Sequence, residues 1–205
     1  MLKDAMPDDA HRPYHHGDLR RALIDTAMDM LAQDRNWQFT LREVARRAGV
    51  SHAAPYKHFP DKSALLAELS LIGFDRLREA LVSARTRAGA SVRDTIIAMA
   101  ESYMDFATRN PALYRLMFST EAGGASVIHV HERALAPLAA LIAVLERGQT
   151  EGVLRKRDVR NQAAACWAQV HGLALLSLDG LLVPENAGRQ PVENALLVLL
   201  EGLEK

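Results

Sequence analysis

Cysteine is nearly missing from this chain. Of 205 residues only Cys166 carries a thiol, so no intrachain disulfide can form. That fits a reducing compartment and points to the cytoplasm. Long apolar runs are missing too. Nothing approaches the roughly 20 residues that span a bilayer, so no membrane partner is expected. The first residues include acids and no apolar core, so a signal peptide is not expected. Net charge is zero, with 25 Lys+Arg against 25 Asp+Glu, which does not announce a polyanionic partner. No stretch alternates with strand period over a useful length, and no internal repeat is visible. The chain therefore reads as all-α.

What is present is unevenly placed. Between His11 and Lys62, nine basic residues (Arg12, Arg20, Arg21, Arg35, Arg42, Arg46, Arg47, Lys57, Lys62) face six acids (Asp18, Asp25, Asp29, Asp34, Glu43, Asp61), a net of +3. Five of the eight histidines lie there as well. A basic module on a neutral chain fits a local nucleic-acid footprint.

The stretch Phe39 to Lys62 carries the strongest pattern. Thr40 and Glu43 make a capping box, flanked by Phe39 and Val44 as a hydrophobic staple. Leu41, Val44, Ala45 and Ala48 form one apolar face, and Gly49 ends the helix where a left-handed conformation is cheapest. Ser51 is the next N-cap candidate, with only Val50 between. So short a connection forces a steep crossing, the helix-turn-helix arrangement. The spacing predicts a second helix from His52 to His58. It is poor in apolar groups but carries His52, Tyr56, Lys57 and His58, which can donate to phosphates or base edges. A major groove would give such a helix a reason to be ordered; the alternative is a solvated connector. Asp61 caps the next helix, which puts Lys62 in a first turn suited to a bound phosphate.

The run T-x-R-E-V-A-R-R-A-G-V-S-x-x-x-x-Y-x-H-F-x-D-K-x-x-L-L resembles the tetracycline-repressor family of bacterial transcription regulators, over about residues 17 to 70. The resemblance implies that Thr40, Arg42, Tyr56, His58 and Lys62 contact the DNA backbone. It implies that His52, Ala53, Ala54 and Lys57 sit where base edges are read. Pro55 departs from the family pattern, which has an aliphatic residue there. A proline so early costs an amide and is expected to tilt the start of the recognition helix.

Residues 1–16 read as a flexible polar arm, residues 17–62 as a three-helix DNA-binding module, and residues 63–205 as a helical effector-binding and dimerisation domain. The H-R-P-Y-H-H run of the arm could touch a minor groove, and His11, His15 and His16 could hold a stray metal, but a plain tail is the simpler reading. Helices are expected over residues 17–34, from Asp61 to about Thr86, from Ser91 to Asn110-Pro111, over Leu113 to Phe118, from about Ser126 to Arg147, from about Val159 to Leu182, and from Pro191 onward. Asn110-Pro111 is expected to cap and open the short helix. Gly123-Gly124 is a break, Pro137 a kink, and residues 148–158 a polar loop.

The segment C-W-A-Q-V-H-G-L-A-L-L-S-L-D-G resembles a C-terminal class of the same family marked by a Trp and a His-Gly. The stretch N-P-A-L-Y-R-L-M-F fits it too. By that resemblance the last two helices pair with a second copy, and Gly172 and Ala174 allow close approach. Phe74, Met99, Tyr103, Phe106, Leu113, Met117, Phe118, Trp167 and His171 are candidate lining of a cavity for a small apolar effector; the alternative is ordinary core. Cys166 and His171 could be read as nucleophile and base, but residues five apart on a helix point in different directions. His129 and His131 do not converge on one ion either. No cofactor, no metal site and no enzymatic activity are expected. The resulting expectation is a homodimeric regulator, most simply a repressor, on double-stranded, near-palindromic operator DNA. The alternative is a small helical carrier or enzyme with no DNA role.

Overall fold

The computed structural model describes residues 16–121 and 131–204. The expected arm apart from His16, the Gly123-Gly124 break and His129 lie outside them. Helix α1 (His16–Asp34) buries Leu19, Leu23, Ile24, Ala27, Met30 and Leu31, a single face at helical spacing. Helix α2 (Leu41–Arg47) follows and carries the capping box: Thr40 Oγ1 accepts the Glu43 amide at 3.2 Å, and Glu43 Oε2 accepts the Thr40 amide at 2.6 Å. The helix closes with the Gly49 amide on the Arg46 carbonyl and the Val50 amide on the Ala45 carbonyl. Gly49 has φ +69°, the left-handed residue this Schellman closure needs.

Those Thr40 bonds hold the Glu43 carboxyl below its ordinary value of 4.5. Its support for the helix is therefore present above that value and lost as pH falls through the lower folded value. Thr40→Ala should cost about 1 kcal/mol in denaturant unfolding at neutral pH. Glu43→Ala should also melt earlier at neutral pH, and its deficit should vanish in acid. A deficit unchanged by acid would mean that the carboxylate plays no part.

The second element differs from the expected helix over His52 to His58. It is a 3-10 helix of one turn, Ala54–Lys57, preceded by a turn at His52 and Ala53. Ser51 does not cap it through its side chain; the Ser51 carbonyl accepts the Ala54 amide at 3.0 Å. Pro55 explains the form. It occupies the first turn, where no amide is required, and its buried ring packs inward. Its carbonyl then accepts both the His58 and Phe59 amides at 2.9 Å. The proline thus shortens the element and fixes it.

Asp61 accepts the Ala64 amide and opens α3 (Lys62–Arg87), about 39 Å long at 1.5 Å per residue. It packs on α1 and on the body: α4 (Val92–Arg109), α5 (Pro111–Met117) and α6 (Glu132–Thr150). Then come α7 (Val159–Leu178), the short α8 (Pro184–Ala187) and α9 (Pro191–Leu203). Among the described residues there is no strand, only one bridge between Leu154 and Glu204, and no helix is long and apolar enough to cross a membrane.

Several boundaries differ from expectation. The loop expected over residues 148–158 starts later, because Gly148 stays helical and lets Leu154 fold back against it. A Cβ there would lie 2.6 Å from Leu154 Cδ1 and 2.8 Å from Val92 Cγ1. Asn110 does not cap α5; its amide nitrogen bonds the Phe106 carbonyl at 2.9 Å and closes α4 instead. Helix α7 stops at Leu178, where Gly180 takes φ +68°. Ala174 is fully buried within the chain, so it offers nothing to a second copy.

Candidate nucleic-acid interface and internal cavity

The candidate DNA-contacting residues gather on three adjoining pieces: the start of α2, the 3-10 turn and the start of α3. Lys62 Nζ lies 5.8 Å from the centre of the Phe39 ring, which brings the N-termini of α2 and α3 side by side. Thr40, Arg42, His52, Ala53 and Lys57 are exposed, and Tyr56 is 50% exposed, although it is a large aromatic. Ala54 is half-buried and packs against the core, so it faces inward more than a base-reading position would. His58 and Lys62 are half-buried. The His58 Nε2 atom is shut off from solvent and has no hydrogen-bond partner among the described residues. Arg47 is occupied elsewhere, tying α2 to α1 through Gln33 at 3.1 Å and Asp34 at 4.0 Å.

The support behind this surface is an ion-pair chain. Arg20 on α1 lies over the Phe59 ring and donates to Glu68 on α3 at 2.9 Å. The other Glu68 oxygen accepts from Arg133 on α6 at 3.2 Å. Arg133 also grips Asp75 through Nε at 2.9 Å and Nη2 at 2.5 Å, and the Asp75 bonds push its guanidinium above its ordinary value. One carboxylate of α3 therefore joins α1 to α6.

Helix α6 is also a wall of a partly open cavity of about 300 Å³ formed chiefly with α3, α4 and α7. Phe74, Met99, Tyr103, Phe118 and Trp167 line it, as placed from the sequence. Phe106, Leu113, Met117 and His171 do not. Met117 and Leu113 fill the space over Gly73, where a Cβ would lie 2.6 Å from Met117 Sδ and 3.2 Å from Leu113 Cδ1. They are core because that glycine lets α5 close on α3. Phe106 is likewise buried in core. His171 turns to the tyrosines: Nδ1 is 2.7 Å from the Tyr114 hydroxyl and 3.2 Å from that of Tyr103.

Sequence reasoning missed Leu135, Pro137, Leu138 and Leu141 of α6 and Cys166 of α7 as lining. A Leu- and Ala-rich helix has no local mark that separates wall from core. The proline within it was the available signal. Cys166 is 2% exposed, and burial pushes its thiol up to about 11, so at neutral pH it is an apolar wall rather than a nucleophile. His131 caps α6 by accepting the Arg133 amide at 3.2 Å. Among the described residues, no three His, Cys, Asp or Glu side chains are grouped to hold a metal ion.

Leu176 on α7, Leu197 and Val198 on α9, and Leu181 between them are exposed apolar side chains, Val198 at 65%. Among the described residues, nothing lies within 4 Å of where a Gly172 Cβ would be.

Comparison with known proteins follows the same division. The profile described as "Tetracyclin repressor-like, C-terminal domain" matches residues 96–199, and that described as "Bacterial regulatory proteins, tetR family" matches residues 23–69. A curated relative, an uncharacterized HTH-type transcriptional regulator of Haemophilus influenzae, is 34% identical over 107 residues; the match covers 51% of each chain, about half that relative's length. A solved protein of unknown function from Rhodococcus sp. RHA1 superposes with TM-score 0.81 at 36% identity, covering 95% of this chain and 100% of its own. A flavonoid-responsive regulator, FrrA, superposes with TM-score 0.62 at 25% identity, covering 92% and 98%.

Proposed function

Since this chain belongs to the tetR family of bacterial regulatory proteins, we propose that it is a homodimeric, effector-responsive transcriptional regulator, most simply a repressor, that binds operator DNA in the cytoplasm. The observation that carries this is the exposed Tyr56–Lys57 pair on a turn locked by the Pro55 carbonyl. An aromatic held half in solvent on a rigid element is poorly explained by folding alone and well explained by a groove-facing surface. Lys57, His52 and Ala53 would meet base edges. Thr40, Arg42, Tyr56 and the first turn of α3 with Lys62 would meet phosphates, where amides and a lysine favour an anion. His58, whose Nε2 is shut off from solvent, would support these contacts from beneath rather than make one. Ala54, facing inward, would serve packing more than readout.

The exposed residues of α7 and α9 suit pairing with a second copy, which would set two modules on successive major grooves. A small apolar effector in the cavity would act through α6 and the Arg133–Glu68–Arg20 chain, favouring a conformer with wrongly spaced modules. It switches the protein only by binding the two conformers unequally. FrrA, described as responsive to a flavonoid, supports an effector of aromatic character on this fold.

Selection of bound genomic fragments at two salt concentrations tests the proposal. The expected result is one near-palindromic sequence whose retention falls steeply with salt, as counterion release demands. A folded dimer that retains no preferred sequence at either salt would refute it.

A further inference from the structure

The cavity is specific about what it can hold. No carboxylate, ammonium, guanidinium or imidazole is among its described lining residues. Arg133, beside the wall, is held by Asp75 and Glu68. A charged ligand would lose its hydration with nothing to replace it. The volume sets a scale as well. A dry cavity of roughly 150 Å³ accepts benzene, and this one is about 300 Å³.

One end is polar, and its protons can be accounted for. The shortest contact, 2.7 Å, joins the Tyr114 hydroxyl to His171 Nδ1, so Tyr114 spends its single proton there. This makes Nδ1 the unprotonated nitrogen, an assignment from the network. Trp167 Nε1 donates to the Tyr103 oxygen at 3.4 Å. The Tyr103 proton then has the Tyr114 oxygen at 3.1 Å or His171 Nδ1 at 3.2 Å, both longer than the Tyr114–His171 contact, or an acceptor in the cavity. Tyr114 is fully buried behind, and only Tyr103 lines the cavity. Burial raises the Tyr103 hydroxyl above its ordinary value, so it stays a neutral donor.

We propose that the cavity takes an uncharged, mostly apolar molecule of about two-ring size that presents one hydrogen-bond acceptor, such as a carbonyl oxygen, to the Tyr103 hydroxyl. This names the effector class for the regulator reading and rests on it for its purpose, though not for the binding itself.

Isothermal titration of the full chain without DNA tests it with three probes of one shape: 2-acetylnaphthalene, 2-ethylnaphthalene and 2-naphthoate. The ketone should bind roughly three- to tenfold more tightly than the hydrocarbon, the worth of one net hydrogen bond. The carboxylate should be the weakest. Tyr103→Phe should erase the ketone's advantage, and Leu138→Trp, which fills the cavity, should abolish binding of all three. If Tyr103→Phe fails to fold, the wild-type ranking decides alone. Tightest binding of the carboxylate, a ketone no better than the hydrocarbon, or no binding of any probe overturns the proposal. A gel shift on the selected operator runs alongside. A chain that binds operator yet ranks the probes wrongly loses this inference and keeps the regulator reading. One that ranks them as expected but binds no operator keeps the cavity chemistry and loses its purpose.

Discussion

The double substitution Tyr56→Ala, Lys57→Ala should lower operator affinity at least a hundredfold while leaving the melting temperature nearly unchanged. Both side chains are exposed, and neither has a hydrogen bond among the described residues, so the fold has little to lose. A phosphate or base contact is worth about 1–3 kcal/mol, and in a dimer each is made twice. Two positions therefore put about 4 kcal/mol at stake at the low end, beyond a hundredfold by the usual conversion. The two also differ in kind. Lys57→Ala should relax preference at one base position of each half-site. Tyr56→Ala should weaken all sequences alike, since a hydroxyl on a phosphate reads no base. Fluorescence anisotropy over a set of single-base operator variants separates the two. Binding within threefold of wild type for the double variant would mean that the 3-10 turn does not face DNA.

Arg133→Met should weaken operator binding by about fivefold or more in the ligand-free protein, though Arg133 belongs to the body and not to the DNA-side module. Glu68 accepts from Arg20 through one oxygen and from Arg133 through the other, so the angle of α3 is set from both sides. Each link taken singly is a half-buried ion pair, worth at most about 1 kcal/mol to stability. Its larger effect is on orientation. A module free to tilt spends part of its time misaligned, and apparent affinity falls by the fraction that remains competent. Couplings of this kind run about 5- to 150-fold. Arg115→Met, which removes an ion pair to Asp179 with no carboxylate on α3, is the control and should leave operator affinity alone. Equal effects of the two substitutions would reduce the chain through Glu68 to ordinary surface pairing.

The elements that were legible in the sequence share a property: their determining contacts are local. Thr40 and Glu43 are three residues apart, and Gly49 needs only the carbonyls of the turn before it. Asp61 and Ser91 cap the helices that follow them in the same way. Pro55 reads as a disturbance because its missing amide is visible locally. That its carbonyl takes two bonds from beyond the turn is not. Asn110 shows the converse error. Its position before Pro111 suggests a cap for the next helix, yet its side chain reaches back to the previous one. Both readings are stereochemically sound, and packing chose between them.

The sequence by itself determined that this chain is helical, where most of its helices begin, and that a short turn joins two elements within a basic, histidine-containing stretch. These follow from backbone hydrogen bonds and apolar spacing within a few residues. Only the tertiary structure decided which apolar residues are wall and which are core. Phe74 and Met117 look alike in sequence, but Gly73 admits Met117 to the packed interface and leaves Phe74 at the cavity. The same holds for Tyr103, Tyr114 and His171, which meet from separations of 57 and 68 residues. A cavity is the space that neighbouring helices fail to fill, so no single helix carries its record.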